Sequence, residues 1–333
     1  MIISTAAALA GGALLLRRLR RPGNGELASA VVVITGGSRG LGLMLAREFG
    51  QRGARLAICA RDEAGVGRAH DDLIGRGYEV LARSCDVRKR DDVENFIAAV
   101  VERYGRIDIL VNNAGTIEVG PASVMTEDDY ADALQTHFWG AYYAVEAALP
   151  ALREAPHGRI VNIVSIGGLV AVPHLLPYTV SKFAALGYSL GLREELAHKG
   201  VSVTTICPGL MRTGSPRNAW FKGRNQAEYG WFSLGSALPL TSVSAHSAAR
   251  RVVTAALGDE ELVVLSLPAQ ILATLQHLLP SLTVRALSLV ARLLPSEGGI
   301  GTSAARGYES ESRVSESVLT TLSKRAEDDL LQR

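Results

Sequence analysis

The stretch Val31-Val-Val-Ile-Thr-Gly-Gly-Ser-Arg-Gly-Leu-Gly42 constrains the fold more than any other part of the chain. Ala30 to Thr35 is rich in Val and Ile with no polar alternation, which predicts a strand buried on both faces. Gly36, Gly40 and Gly42 follow, and helical periodicity then runs from Leu41 to Arg52. A strand, a glycine turn and a helix N-terminus together make a cradle for a diphosphate. The leading N–H groups of the helix point outward, and glycine lets the chain approach the phosphates closely. The glycine spacing differs from the G-x-G-x-x-G fingerprint of the longer dinucleotide enzymes.

The same alternation continues. Strands are predicted at Arg55–Cys59, Glu79–Ser84, Ile107–Val111, Val161–Val164, Val201–Ile206 and Leu262–Leu265. Helices are predicted over Glu63–Arg76, Asp91–Tyr104, Thr126–Leu152, from Tyr178 to about Lys199, and Ala245–Leu257. This pattern specifies the α/β class: one doubly wound, Rossmann-like parallel sheet with ligands at the carboxyl edge of its strands. With 333 residues, 47% of them hydrophobic, the chain has ample core for one large domain plus appendages. The expected division is an apolar N-terminal segment and linker at 1–25, the sheet domain at 28–266, an apolar helical extension at 267–295 and a polar tail at 296–333.

Two further features, like Pro208, fall just after predicted strand ends, and a third lies on a predicted helix. Ser165 follows the run Arg159–Val164, and Asn112-Asn-Ala-Gly115 follows Ile107–Val111. Tyr178 and Lys182 stand at i and i+4, so on a helix they share a face. A nearby ammonium favours the phenolate, which predicts a phenol pKa below about 10. In this order, and with the glycine turn, these motifs resemble the short-chain dehydrogenase/reductase family over about residues 28 to 265.

That resemblance implies an NAD(P)-dependent oxidoreductase that passes a hydride between the nicotinamide and a carbonyl or carbinol carbon. It implies Ser165 as the hydroxyl that orients the carbonyl and Tyr178 as acid/base. Lys182 is implied as the activator of the tyrosine and as a ribose ligand. It also implies cofactor contacts at Gly36, Ser38, Arg39, Gly40, Leu41, Gly42, Arg61, Asp86, Val87, Asn113, Ala114, Gly115, Pro208, Gly209 and Thr213. Asp86 equally suits a helix N-cap. His137 occupies the place where the family carries an asparagine thought to hold a water linking the lysine to solvent. Histidine can bind water and titrate near neutrality, so His137 is a candidate for that relay and, equally, for a structural residue. No metal is expected, because the phenol supplies the electrophilic assistance.

The end of the second strand bears on the choice of cofactor. An acid there suits the ribose 2′-hydroxyl of NAD. This chain has Ala60 at that place, then Arg61, with Arg39 in the glycine turn. Two guanidiniums suit the 2′-phosphate of NADP, so NADP is expected over NAD, although Asp62 would serve NAD in a shifted register. The alternatives are an NAD-linked alcohol dehydrogenase and a non-catalytic nucleotide-binding scaffold.

Net charge is +2 (35 basic, 33 acidic), without the clustered basic excess of a nucleic-acid binder. Cys59, Cys85 and Cys207 are far apart in sequence and read as small buried hydrophobes. Met1–Leu16 carries no charged side chain and is followed by Arg17-Arg-Leu-Arg-Arg21. A helix there spans about 24 Å against roughly 30 Å of hydrocarbon. Its charge order is opposite to that of a signal peptide and favours a membrane anchor on the cytoplasmic face. A disordered leader on a cytoplasmic protein is the other reading. Residues 215–240 concentrate Trp220, Phe221, Tyr229, Trp231 and Phe232, either as a lid for an apolar substrate or as packing over the sheet edge. Pro268–Pro295 predicts two short amphipathic helices divided at Pro280, and the tail composition predicts mobility apart from a helical pattern over Val314–Leu331. Expected partners are therefore a small apolar substrate, a membrane surface and further copies of the chain.

Overall fold

A strand with no polar alternation has to be covered on both sides, and β1 (Val31–Thr35) is buried at all five residues. It lies inside a seven-stranded sheet of order β11-β7-β6-β4-β1-β2-β3. The partners are β2 (Arg55–Ala60), β3 (Val80–Ser84), β4 (Ile109–Asn112), β6 (Gly158–Ile163), β7 (Val201–Pro208) and β11 (Leu262–Leu265). Every pairing in this sheet is parallel. The structure is a computed structural model and describes residues 27–237, 242–312 and 326–332. Met1–Leu16 and Arg17–Arg21 lie outside the described residues, as does most of Val314–Leu331.

Parallel strands need crossovers, and helices provide them. One face is covered by α1 (Gly40–Gln51) and α2 (Glu63–Gly75), and by the later helix at Ala245–Leu257. The other is covered by α3 (Arg90–Tyr104) and by the helices at Gly140–Glu154 and Leu176–Leu196. The strand order reverses between β1 and β4, so the crevice expected of such a sheet opens beyond Thr35 and Asn112.

The helix expected over Thr126–Leu152 is one rod with a defect. It begins as α4 (Glu127–Leu134), passes through a π turn at Gln135–Trp139 and continues as α5 (Gly140–Glu154). His137 sits in that π turn. Helix α6 (Leu176–Leu196) carries Pro177 in its first turn, where a missing N–H costs nothing, and Tyr178 directly after it. Lys89, not Asp86, precedes α3, so the N-cap reading of Asp86 is wrong.

The aromatic cluster resolves as packing. The short strands β5 (Glu118–Val119) and β9 (Trp220–Phe221) and helix α7 (Asn225–Ala237) build a small satellite core, with β8 (Leu210–Arg212) beside α7. Phe221, Tyr229 and Phe232 are buried there, with the ring of Tyr178 packed against them. Strand β10 (Ser242–Ser244) pairs with β8 and leads into α8 (Ala245–Leu257).

The extension folds as α9 (Leu267–Leu278) and α10 (Pro280–Ala291), parted at Pro280 as expected. Leu267, Leu278, Leu282, Leu289 and Leu293 on this hairpin are exposed. The chain then returns, and β12 (Ala305–Arg306) pairs antiparallel with β9. The composition-based expectation of a mobile tail fails for the described part. Ser310 and Leu330 are buried, and Arg47 holds Asp329 through its side-chain and backbone oxygens. Directed hydrogen bonds anchor this segment, and composition does not reveal those.

Among the described residues, no helix is long and apolar enough to cross a membrane.

Candidate active site

Thr35 ends β1 and ties two turns together. Its Oγ1 accepts from the N–H groups of Asn113 (3.0 Å) and Ala114 (3.1 Å). Asn113 Nδ2 donates back to the carbonyls of Thr35 (3.0 Å) and Gly36 (3.1 Å). The closeness explains the glycines. A Cβ on Gly36 would stand 2.8 Å from Ala114 Cα, and φ there is +65°. A Cβ on Gly42 would stand 2.1 Å from the carbonyl oxygen of Gly36. The turn delivers the chain into α1, whose first N–H groups lack intrahelical acceptors. A cradle that tolerates no Cβ, at a helix N-terminus and at the strand switch point, fits the diphosphate of a dinucleotide.

Ser165 lies just past β6, and its Oγ accepts from Gly167 N–H at 2.9 Å. A Cβ on Gly167 would touch Tyr178 Cε1 at 3.1 Å and Ser165 Oγ at 3.4 Å, so hydroxyl and ring face each other across a glycine. Lys182 Nζ donates to the carbonyl of Ile163 at 3.0 Å and stands 5.7 Å from the centre of the Tyr178 ring. A buried polar chain fixes α6 on the sheet: Asn112 to Asn162 (2.8 Å), Asn162 to Ser189 (2.9 Å) and Ser189 to Thr205 (2.7 Å).

The expected lowering of the tyrosine pKa is not seen. Burial pushes the phenol up to about 12, against a downward pull from the Ser165 hydroxyl. Burial likewise brings the Lys182 ammonium down to about 7. The ammonium is bound to a carbonyl and not to the phenol oxygen, so desolvation outweighs its attraction.

His137 has partners on both ring nitrogens. Its Nε2 accepts from Thr116 N–H at 3.1 Å, which places the ring proton of the neutral form on Nδ1, 2.7 Å from Ser181 Oγ. Ser181 in turn donates to the backbone oxygen of Tyr178 at 2.8 Å. The two rings meet edge-on at 5.4 Å. Burial, followed by the charge of Lys182, holds the imidazole well below its ordinary range. His137 braces the backbone of Tyr178. Together with His137, Lys182, Asn112, Thr136 and Tyr188 line a cavity of about 20 Å³, room for one water molecule by size.

The remaining predicted residues spread along the same edge. Ser38 is buried in the turn, and Arg39 Nη1 donates to Asn218 Oδ1 at 3.2 Å. Ala60 ends β2, and Arg61 is exposed just beyond it. Burial alone would raise the Asp86 carboxyl, but Arg88 holds it below the usual carboxylate range. Val87 is buried against Gly140. Pro208 ends β7, Gly209 N–H donates to Leu265 at 3.2 Å, and Thr213 is buried at the far side of the cradle. The three cysteines are buried and free. Cys59 and Cys85, distant in sequence, share a thiol contact that pushes Cys59 well up.

Sequence reasoning missed Asn218, Arg306, Leu330 and Gln332, which the fold brings to the cradle. Asn218 bonds Arg39 and Gln332, and the carbonyl of Asn218 accepts from Arg306 Nη1 at 2.6 Å. None of them belongs to a local pattern that would have marked it.

Residues 30–221 match the sequence profile of the short-chain dehydrogenase family. A putative ketoacyl reductase of Streptomyces coelicolor is 40% identical over 187 residues, covering 56% of this chain and 72% of that protein. The oxidoreductase UcpA of Salmonella typhimurium is 37% identical over 190 residues, covering 57% and 72%. Among solved structures, an actinorhodin polyketide ketoreductase with NADPH superposes with a TM-score of 0.64 and 31% identity, over 71% of this chain and 95% of that one. A short-chain dehydrogenase of Burkholderia phymatum with NAD shares the fold at a TM-score of 0.70 and 24% identity, over 77% and 96%. With the cradle, the strand order and these likenesses in agreement, the chain belongs to the short-chain dehydrogenases and is an NAD(P)-dependent oxidoreductase acting between carbonyl and alcohol.

Proposed function

We propose that the protein is an NADP(H)-dependent carbonyl reductase or alcohol dehydrogenase of lipophilic substrates, with Tyr178 as acid/base. The observation that carries this is the meeting of buried Ser165 Oγ, the half-buried Tyr178 ring and buried Lys182 Nζ beside the glycine cradle. The dinucleotide, when bound, supplies or accepts the hydride. Ser165 Oγ accepts from Gly167 and its own proton faces the phenol, from which it would turn to hold a carbonyl oxygen. A phenol at about 12 keeps its proton at neutral pH, which is the form that protonates a carbonyl oxygen in reduction. Oxidation needs a more acidic phenol, and Lys182 turning from Ile163 toward the phenol oxygen would provide it. The cavity beside Lys182 suits a water that resupplies its proton.

Gly36, Ser38, Gly40, Leu41 and Gly42 would hold the diphosphate, with Asn113, Ala114 and Gly115 along the cofactor. Arg39 and Arg61 would take the 2′-phosphate, Asp86 and Val87 the adenine, and Lys182 the ribose. Pro208, Gly209 and Thr213 would flank the nicotinamide. An apolar substrate is supported by the satellite core packed against Tyr178. The exposed leucines of α9 and α10 support contact with a membrane surface, and the exposed stripe of Leu176, Val180, Phe183 and Leu190 on α6 supports a homo-oligomer.

The test is NADPH oxidation with ketones graded in apolar area, together with titration of both cofactors. NADPH should bind at least tenfold tighter than NADH, or about 1.4 kcal/mol. Equal affinity sinks the NADP reading, and turnover confined to small polar ketones sinks the lipophilic one. Vesicle flotation with and without residues 268–295 tests the surface. If that deletion leaves binding unchanged, the hairpin is no anchor.

A further inference from the structure

Arg306 lies outside the family match, on the returning strand β12, yet it reaches the cofactor end of the sheet. Its guanidinium lies 3.5 Å over the centre of the Trp220 ring and donates to the carbonyl of Asn218. The side chain of the same Asn218 holds Arg39. The glycine turn carrying Arg39 is fixed to the end of β2 by Gly37 N–H donating to Cys59 O at 3.0 Å, and Arg61 follows two residues later. Among the described residues no carboxylate lies within ion-pair distance of these three guanidiniums. Asp62, the acid nearby, is 3.7 Å from Arg68. After burial, Arg306 lowers the pKa of Arg39, Asp62 raises it and Arg61 lowers it; for Arg306 itself, after burial, Arg61 lowers while the flanking Tyr308 and Glu309 raise. Three guanidiniums gathered with no ion-paired acid mark a site for a compact dianion.

We propose that Arg306, contributed by the C-terminal extension, joins Arg39 and Arg61 to clamp the 2′-phosphate of NADP(H) and so sets cofactor choice. This rests on the NADP reading above. The test is competition binding with adenosine 2′,5′-bisphosphate and 5′-AMP, and direct titration with NADPH and NADH, in wild type, Arg39→Ala and Arg306→Ala. Arg306→Ala should weaken NADPH and the bisphosphate about tenfold and leave NADH and AMP within about twofold. A merely structural role would weaken all four alike and overturn the proposal. If wild type does not distinguish the bisphosphate from AMP, the NADP reading falls and the clamp with it. If wild type and Arg39→Ala behave as expected but Arg306→Ala keeps full preference, only the clamp falls.

Independently, residues 326–332 lie in the cradle itself. The carbonyl of Leu330 accepts from Gly40 N–H, the first of α1, at 3.0 Å. Gln332 Nε2 stands 2.8 Å from where a Cβ on Gly40 would be and donates to Thr213 O at 2.9 Å. Asn218 Nδ2 donates to both oxygens of Gln332, at 2.9 Å and 2.8 Å. The segment thus joins the glycine turn to the Thr213 loop, using the donor and the space offered to a diphosphate.

We infer that this segment and the dinucleotide exclude one another, so that the tail holds the cofactor site shut until displaced. A chain ended at residue 325 should bind NADPH and NADH several-fold tighter, with the gain in the association rate. Gln332→Ala in the full chain should move both the same way, and a peptide of residues 326–332 added to the shortened chain should reverse the gain. Weaker binding after shortening would make the tail a strap over bound cofactor and overturn the inference, as would unchanged binding.

Discussion

Lys182 is buried, with 5% of its surface exposed, and its ammonium has one recorded protein acceptor, Ile163 O. Its displacement from 10.5 to about 7 corresponds to about 5 kcal/mol at about 1.4 kcal/mol per pH unit. The native pKa lies below the unfolded one, so the unfolded chain binds the extra proton between about pH 7 and 10.5, and stability rises with pH across that window. Below about pH 7 both states carry the charge and the whole cost is present. Lys182→Met keeps the apolar stem and removes the charge. The cofactor-free variant should therefore be more stable than wild type at pH 6 by about 5 kcal/mol, less about 1 kcal/mol for the lost hydrogen bond. About 3 kcal/mol of that advantage should vanish by pH 9. Groups that do not feel the Lys182 charge cancel in the difference. The assay is reversible urea unfolding of the cofactor-free proteins at pH 6, 7.5 and 9. An advantage that is the same at pH 6 and pH 9 would refute the claim that burial has depressed this ammonium.

Tyr178→Phe should abolish turnover and leave the dissociation constant of NADPH within about twofold, since only the phenol oxygen moves a proton; substantial residual activity counts against Tyr178 as acid/base. His137→Asn should cost about 1–3 kcal/mol in urea unfolding, because a shorter side chain cannot span Thr116 and Ser181. Its pH–rate profile should keep the shape of wild type, and loss of an acid limb would show that the imidazole titrates in catalysis. Gly42→Ala forces a Cβ to 2.1 Å from Gly36 O and should remove dinucleotide binding in equilibrium titration. Gly67→Ala, on an exposed face of α2 with nothing within 4 Å, should instead stabilise by about 0.5–1 kcal/mol.

The glycine turn was legible because its chemistry is local: a strand, three glycines and a helix start within one short run. The parallel sheet followed from alternation, and Ser165, Tyr178 and Lys182 from motif order. Ionisation was not legible. The i, i+4 spacing brings Lys182 close to Tyr178, but burial sets the sign of both shifts, and burial exists only in the fold. His137 read equally as a relay or a structural residue because its type and position were visible and its partners were not: Thr116 and Ser181 approach it from two other segments. The aromatic run after Ser215 could have been a lid or a wall. The pairing of β9 with β5 buries Phe221 and decides for the wall.

The C-terminal part shows why composition misleads at such a site. Residues 296–333 are polar and charged, which removes the hydrophobic incentive to pack. What holds the described part is the set of backbone groups the family core leaves open. The free edge of β9, at the very end of the family match, accepts β12. The leading N–H of α1 donates to the carbonyl of Leu330, and the carbonyl of Asn218 accepts from Arg306. Each is an unpaired polar group that folding or a ligand must satisfy. An extension that satisfies them is thereby drawn to the place where the cofactor binds. It can change cofactor choice and access without touching Ser165, Tyr178 or Lys182, so divergence in this enzyme is expected to appear in binding constants before it appears in chemistry.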